Sequence, residues 1–175
     1  MELSPTGRVI LGFLAVEPKS GYDIKQLVDK STRFFWAASY GQIYPDLKRL
    51  AASGLVEPAD ETTEGRRRIT YRITAAGEEA LGAWLQSPEQ LHELRDEGLL
   101  KLFFAGLASD ETAASILEHK LEAHREAIER LRAIKPKAAA VGRFGPLHVL
   151  EYGLALNEFS AEWCERTLNE VKRGK

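Results

Sequence analysis

Apolar residues recur at helical spacing in three successive segments near the start of the chain. The first covers residues 4–16 and the second residues 20–31, and each begins with a serine that can cap a helix. The third covers residues 39–54 and ends at Gly54, a residue type that commonly terminates helices. One face of this third segment carries Ile43, Leu47, Leu50 and Ala51. The spacing predicts three short helices that share one core.

After Gly54 the spacing changes to the alternation of a strand. Residues 69–73 place apolar side chains on one side and polar side chains on the other, after a short apolar segment at residues 55–57 and a polar loop. Thr74 then caps a fourth helix that runs to Gln86. Three helices, a β-hairpin and a helix follow the order of a winged helix-turn-helix, with the third helix as recognition helix and the hairpin as wing.

The second half of the chain has helical patterns throughout. Residues 99–107 are apolar on nearly all sides, which predicts burial. Ser109 caps a long helix that Pro136 is expected to end, and a last helix follows the turn at residues 142–146. Each long helix carries a row of side chains at coiled-coil spacing. The first row is Leu117, Leu121, His124, Ile128 and Leu131, and the second is Tyr152, Leu156, Phe159 and Trp163.

These patterns predict a mainly α-helical protein with one small β-hairpin. Residues 1–86 form a winged helix-turn-helix DNA-binding domain, residues 87–98 a linker, and residues 99–175 an all-helical domain. Two helices of roughly 30 to 37 Å cannot bury both rows against one short helix, so we expect a second copy of the chain to cover them. The predicted dimer interface contains Leu117, Leu121, Ile128, Leu131, Tyr152, Leu156, Phe159 and Trp163.

Composition narrows the class of protein. The chain is 44% hydrophobic and 29% charged, as expected of a folded globular protein. The sequence lacks an export signal and an apolar run of the ~20 residues needed to cross a bilayer. The single cysteine, Cys164, excludes an intramolecular disulfide and fits a reducing cytoplasm. A net charge of −2 argues against indiscriminate coating of nucleic acid, although basic residues cluster at Lys48-Arg49 and at residues 66–68.

The sequence gives little support for catalysis or metal binding. The four histidines, His92, His119, His124 and His148, lack the spacing of a metal site, and no catalytic triad or glycine-rich phosphate loop is legible. We therefore expect a protein that is not an enzyme and has no metal or cofactor. Cys164 is interpreted as a packed small residue rather than a thiol sensor.

The third helix and the wing carry the candidate DNA contacts. A glutamine can bond adenine bidentately, a tyrosine hydroxyl can donate to a phosphate, and basic side chains meet phosphates or the minor groove. Competing interpretations are a tyrosine packed into the core, a solvated helix face, and wing arginines paired with nearby carboxylates. The candidates are Ser39, Tyr40, Gln42, Tyr44, Lys48, Arg49, Arg66, Arg67 and Arg68.

Aromatic residues have two interpretations. They form the core of the dimer, or they line a pocket for a small-molecule effector at the junction of the two halves. The candidates for this pocket are Trp36, Phe103, Phe104 and Trp163.

Several runs of the sequence resemble the PadR family of bacterial transcriptional regulators. In the first half they are SGYDIKQLVDKS, SYGQIYPDLKRLAASGLVE and RRRITYRITAAGEEALGAWL, starting at residues 20, 39 and 66. The second half resembles the long C-terminal domain of one PadR subgroup through RDEGLLKLFF, from residue 95, and EFSAEWC, from residue 158.

The resemblance implies a homodimer that binds a palindromic operator in double-stranded DNA. Such proteins are usually repressors released by a small molecule, often a phenolic compound. The resemblance assigns DNA recognition to Tyr40, Gln42, Tyr44 and Lys48 and to the wing arginines, and it assigns no effector residue. A different function class stays open, a winged-helix module that binds another protein without sequence-specific DNA binding, in which Lys48 and the wing arginines would be dispensable.

Overall fold

The computed structural model describes residues 3–32, 35–36, 40–59, 69–88, 95–142 and 144–174. They belong to two compact units, Met1–Gln90 and Leu91–Lys175. The protein is mainly helical with one small antiparallel sheet, which confirms the predicted fold class. Within the described ranges, no helix is both long and apolar enough to span a membrane.

In the described part of the N-terminal unit there are four α-helices and three short strands. In chain order they are α1 (Pro5–Leu14), β1 (Lys19–Ser20), α2 (Gly21–Lys30), α3 (Tyr40–Ala52), β2 (Val56–Ala59), β3 (Thr70–Ile73) and α4 (Ala75–Gln86). The strands form a sheet of order β1-β3-β2, in which Tyr71 pairs with Lys19 on one side and with Pro58 on the other. The sequence pattern predicted β2 and β3 but missed β1, because two residues are too few to show an alternation.

Side-chain caps fix where the helices of this unit begin. The Ser4 hydroxyl accepts a hydrogen bond from the Gly7 amide, and Thr74 does the same for the amide of Gly77. Ser20 and Asp23 form a reciprocal capping box at the start of α2. These caps confirm the predicted starts of α1, α2 and α4, whereas α1 ends at Leu14, two residues before the predicted end.

The core of the N-terminal unit lies where α1, α2, α3 and the sheet meet. The predicted inner residues of α3, Ile43, Leu47 and Leu50, are almost completely buried, and Ala51 is half-buried. They pack with residues of the other elements: Leu3, Ile10, Leu11, Leu14, Ile24 and Val56. The core therefore holds one face of α3 and leaves the other face at the surface.

The residues described in the C-terminal unit form three α-helices and one 3₁₀ turn. They are α5 (Glu97–Phe103), the turn Ala105–Leu107, α6 (Asp110–Ala140) and α7 (Pro146–Lys172). Asp96 caps α5, so this helix begins inside the segment predicted as a linker. The expectation that Pro136 ends α6 is wrong, because the helix continues to Ala140. Ile134 and Ala138, on either side of the proline, pack against the core of the unit and offset the hydrogen bond that proline cannot donate.

The long helices α6 and α7 cover each other within one chain. Leu117, Leu121, Ile128 and Leu131 of α6 are buried with a row of α7 residues, namely Leu150, Leu154, Ala161, Cys164 and Leu168. The premise that only a second copy could cover the α6 row is therefore wrong, and these four residues form an intrachain core. Three residues of the row predicted for α7, Tyr152, Leu156 and Phe159, are exposed and lie outside that core. The fourth, Trp163, is half-buried and packs against it.

Residues 99–107 are also placed differently from the prediction. Five large apolar residues of this segment are exposed on the unit, namely Leu99, Leu100, Phe103, Phe104 and Leu107. Ala105 is buried and Leu102 packs partly against the core. The seven-residue helix α5 packs mainly against one long helix, α6, and this contact leaves most of the side chains of α5 exposed.

Two ionisable groups near the start of α5 have shifted pKa values. Burial tends to raise the pKa of Asp96, but hydrogen bonds from Lys120 and from the Leu99 and Gly98 amides, together with the Lys120 charge, leave the pKa below its usual value. Lys120 Nζ lies 2.6 Å from Asp96 Oδ2, which links α5 to α6. Cys164 is completely buried in the core of the unit, which confirms the predicted packed residue, and this burial raises the pKa of its thiol.

Candidate nucleic-acid interface

The outer face of α3 presents most of the predicted reading residues. Gln42, Tyr44, Lys48 and Arg49 are exposed, whereas Ile43 and Leu47 between them are buried. A helix of 13 residues held by its inner face and polar on its outer face fits the width of the DNA major groove.

Tyr44 is packed on one side and exposed on the other, so its predicted contact with DNA stays a prediction. Its ring lies against the start of α2, where a Cβ added to Gly21 would come within 2.8 Å of Tyr44 Cε1. The residue is nevertheless 52% exposed. The glycine thus lets the ring rest on α2 while the rest of the side chain reaches solvent.

Gln42 is tied to the first turn of α1. The hydroxyl of Thr6, itself buried, donates to Gln42 Oε1 at 3.4 Å. This long hydrogen bond orients the amide and leaves its N–H₂ group available to an acceptor on a base edge.

Asp46 is a buried acidic residue inside the recognition helix, and sequence reasoning missed it as a site residue. It is 3% exposed, although it stands among exposed polar residues of α3. Its carboxylate accepts a hydrogen bond of 2.8 Å from the Ser4 hydroxyl and forms an ion pair with Arg49. Its position three residues after Ile43 and four before Leu50 places it on the inner face, which is the signal that could have identified it.

The two basic residues of α3 have different surroundings. Lys48 is exposed on the outer face. The side chain of Arg49 is 66% exposed and is held at one end by Asp46. Arg49 is therefore a cation of fixed position rather than a freely moving one.

A row of polar side chains on α2 lies outside the sequence predictions. Gln26 Nε2 donates to the Tyr22 hydroxyl at 2.7 Å, and Lys30 Nζ donates to Gln26 Oε1 at 3.0 Å. The first helix of a helix-turn-helix crosses the DNA backbone, so this row suits contacts with phosphates. The regular spacing of four residues was the signal available in the sequence.

The hairpin is described at its base and not at its tip. Arg72 Nε donates to Glu57 Oε1 at 2.8 Å across the two strands, and the Thr70 hydroxyl donates to the Ala59 carbonyl. The predicted wing arginines Arg66, Arg67 and Arg68 lie outside the described residues, as does Ser39. Tyr40 begins α3, but its side chain also lies outside the described part.

Close contacts join the end of α3, the hairpin and the start of α4. Gly54 has a φ of +68°, which turns the chain out of α3. The Thr74 hydroxyl donates to the Gly54 carbonyl at 2.7 Å, and its amide donates to the Leu55 carbonyl at 3.1 Å. A Cβ on Gly77 would lie 2.1 Å from the Leu55 oxygen, so only glycine allows this approach. The end of α3, the hairpin and the start of α4 are therefore held in fixed positions relative to one another.

The predicted effector residues occur in different parts of the structure. Trp36 is half-buried in the N-terminal unit. In the C-terminal unit, Phe103 and Phe104 are exposed with their rings edge to face, 5.0 Å between centroids, and Trp163 packs against the core. Two surface depressions of the described chain, one on α6 and one on α7, are lined mainly by charged residues and contain none of these aromatic residues. An effector pocket formed by them stays a prediction.

Comparison with known proteins gives two matches to family profiles. Residues 10–83 match the "Transcriptional regulator PadR-like family". Residues 94–172 match "Virulence activator alpha C-term". Among curated proteins, the negative transcriptional regulator PadR of Bacillus subtilis (strain 168) is 28% identical, with 94% of this chain and 96% of that protein covered.

Solved structures match over nearly the whole chain. The PadR-like transcriptional regulator BC1756 from Bacillus cereus has a TM-score of 0.86 at 26% identity, over 97% of this chain and 99% of the other. B. subtilis PadR in complex with operator DNA has a TM-score of 0.84 at 27% identity, over 94% and 98% of the two chains. The same regulator in complex with p-coumaric acid has a TM-score of 0.80 at 27% identity, over 97% and 99%.

Proposed function

The chain belongs to the PadR-like family of transcriptional regulators, and from this we propose that it is a homodimeric repressor that binds a palindromic operator and is released by a small aromatic effector. The exposed face of α3 supplies the sequence reading and the basic residues supply the affinity. We propose residues 1–86 as the DNA-binding domain and residues 99–175 as the dimerisation domain. As a gene regulator, the protein would act in the cytoplasm of a bacterium and have no catalytic role.

One observation carries the DNA-binding part of the proposal. The outer face of α3 presents Gln42, Tyr44 and Lys48 on a helix whose inner face is fixed by the core. Gln42 offers donors and an acceptor to a base edge, and Lys48 offers a positive charge to the backbone. A homologous chain of the same fold has been solved in complex with operator DNA, which supports the same use of this helix.

Dimer formation is supported by the apolar residues that one chain leaves uncovered. Tyr152, Leu156 and Phe159 project from α7 and are between 50% and 66% exposed. Burial of such a row by a second copy is favourable, and a two-fold dimer would present two α3 helices to half-sites about 34 Å apart. The α6 members of the predicted interface are excluded from this proposal, because they are buried within the chain.

The proposed effector is based on the ligand that a relative binds. B. subtilis PadR has been solved with p-coumaric acid, a phenolic acid. We propose a ligand of the same class here, stacked on aromatic residues among Trp36, Phe103, Phe104 and Trp163.

The test begins with selection of bound fragments from a randomised double-stranded DNA library by the full-length protein. Binding of a selected fragment and of its scrambled version is then measured at several salt concentrations. We expect the selected fragment to bind at least ~10³-fold more tightly and log Kd to rise steeply with log salt, by about 0.9 per phosphate contact. Lys48→Ala should lower that slope by about 0.9, because the variant loses one phosphate contact.

A charge-matched control is Arg125→Ala in α6, a residue of the C-terminal unit that pairs with Glu165 of α7. It should leave the slope unchanged. Equal affinity for selected and scrambled fragments would refute sequence-specific regulation and favour the protein-interaction alternative.

A further inference from the structure

We propose that Asp46 is a positioning residue for DNA binding, which holds the Arg49 guanidinium so that its remaining N–H groups meet a backbone phosphate. The inference rests on the proposed function, since it concerns how the recognition helix engages DNA. It assigns a role in recognition to a buried carboxylate that does not itself reach the surface.

The burial of Asp46 requires an explanation. A carboxylate that is only 3% exposed loses most of its hydration, which is costly unless hydrogen bonds and an opposite charge replace it. Ser4 supplies the hydrogen bond at 2.8 Å, and Arg49 supplies the charge. Ser4 and Arg49 together replace the hydration that the buried carboxylate loses, so the ion pair contributes to the folded state.

The contact with Ser4 fixes the carboxylate relative to α1. The Ser4 hydroxyl donates to Asp46 Oδ2 and accepts from the Gly7 amide at 2.9 Å, so it is held at the N-terminus of α1. A change of the Asp46 rotamer would therefore break the hydrogen bond to Ser4. A chain of bonds runs from the first turn of α1 through Asp46 to Arg49.

Arg49 is the outer end of that chain. One of its terminal nitrogens contacts Asp46 Oδ1, and the side chain is 66% exposed. A guanidinium has five N–H donors in a rigid planar fork, so a group held on one edge still presents donors on another. A phosphate is the acceptor that such a fixed, exposed edge suits best.

The sign of one mutational effect separates positioning from simple electrostatics. Asp46→Asn removes a negative charge from the recognition helix, and Coulomb attraction alone would then make DNA bind more tightly. Positioning predicts the reverse, because Arg49 loses the carboxylate that orients it. An asparagine at this position can still accept the Ser4 hydrogen bond, which preserves that contact.

The experiment is a double-mutant cycle in the full-length protein, measured on the DNA fragment selected as described above. We expect Asp46→Asn and Arg49→Ala each to weaken binding about tenfold and the double variant to be no weaker than Arg49→Ala alone. In the two single variants and the double variant, the slope of log Kd against log salt should fall by about 0.9, the value expected for one phosphate contact. Additive losses, or tighter binding by Asp46→Asn, would overturn the proposal.

Two further variants keep the outcome decisive. Glu79→Gln removes the same charge from an exposed position on α4 and should not weaken binding. Arg49→Lys keeps the charge on an exposed side chain, so it should fold even if Asp46→Asn does not. It should still lose affinity about fivefold, since an ammonium lacks the planar fork; affinity equal to that of the unmodified protein would contradict the proposal.

The result distinguishes this inference from the proposed function. If the unmodified protein does not prefer its selected fragment, DNA recognition itself fails. If it does prefer that fragment and the cycle is additive, recognition stands and the coupling of Asp46 to Arg49 is refuted.

Discussion

At the scale of single residues, Gly77 at the start of α4 leaves no room for a side chain. A Cβ at this position would lie 2.1 Å from the Leu55 oxygen and 2.7 Å from Ile73 Cγ1. Since the Leu55 oxygen belongs to the backbone, the clash could be relieved only by separating α4 from the end of α3.

We therefore predict that Gly77→Ala lowers the free energy of unfolding by about 1 to 3 kcal/mol. The matched control is Gly82→Ala in the same helix, where an added Cβ meets no atom within 4 Å. That variant should be neutral or stabilise the protein by about 0.5 kcal/mol. Urea denaturation of both variants measures the difference, and equal stabilities would show that α4 tolerates the side chain.

Single residues also show what the sequence could and could not predict about the candidate site. Ile43, Leu47 and Leu50 follow from helical spacing alone, because burial of apolar side chains drives the packing. Helical spacing also places Asp46 on this inner face, but its full burial and its hydrogen bond to Ser4, 42 residues away, could not be predicted, since charged residues are rarely fully buried.

At the scale of elements, α6 continues through a proline that the sequence suggested would end it. Pro136 cannot donate a backbone hydrogen bond, and the residue is exposed on the side away from the core. The packing of Ile134 and Ala138 holds the helix together across this defect. Local rules predict helix ends well only where tertiary contacts do not oppose them.

We predict that Pro136→Ala stabilises the protein by about 1 to 3 kcal/mol, because it restores a backbone donor and removes a steric conflict. Pro146→Ala is the control: this proline stands at the start of α7, where it costs no hydrogen bond. Its substitution should be neutral or slightly destabilising. Thermal unfolding of the two variants measures the contrast, and a lower midpoint for Pro136→Ala would contradict the expectation.

The assignment of rows on α7 shows a second limit of reading elements from sequence. The helix carries two apolar rows, and the row with large aromatic residues gave the clearer pattern. The buried row consists mainly of smaller residues, including Ala161 and Cys164, which allow α6 to approach closely. The sequence pattern pointed to the row with large aromatic residues, which stays the proposed dimer interface, and did not identify the row that packs against α6.

At the scale of the whole molecule, the exposed row of α7 is the proposed interface between two chains. We predict that Leu156→Ala and Phe159→Ala each weaken the homodimer at least about tenfold, since each removes a large apolar side chain from the proposed interface. Leu85→Ala on α4 is the matched control, because Leu85 is 67% exposed and lies in the other unit. Sedimentation velocity over a range of protein concentrations measures the effect, and unchanged association in both α7 variants would place the interface elsewhere.

The order of elements along the whole chain was predictable because each pattern extends over many residues. Three helices, a hairpin, a fourth helix and two long helices all follow from periodicity and caps. The element that packs on each apolar face was not predictable, because the spacing of residues shows that a helix face is apolar but not which element covers it. For this reason the α6 row was assigned to a second copy, while α7 of the same chain covers it.

The division of α3 into two faces also bears on how such a regulator can change during evolution. Ile43 and Leu47 are buried, whereas Gln42, Tyr44 and Lys48 are exposed. Substitutions at exposed positions usually change stability by less than about 0.5 kcal/mol. With the proposed role of the outer face, new operator preferences can arise there while the buried face that holds the fold is unchanged, so a duplicated copy of the gene could acquire a new target without first passing through an unstable intermediate.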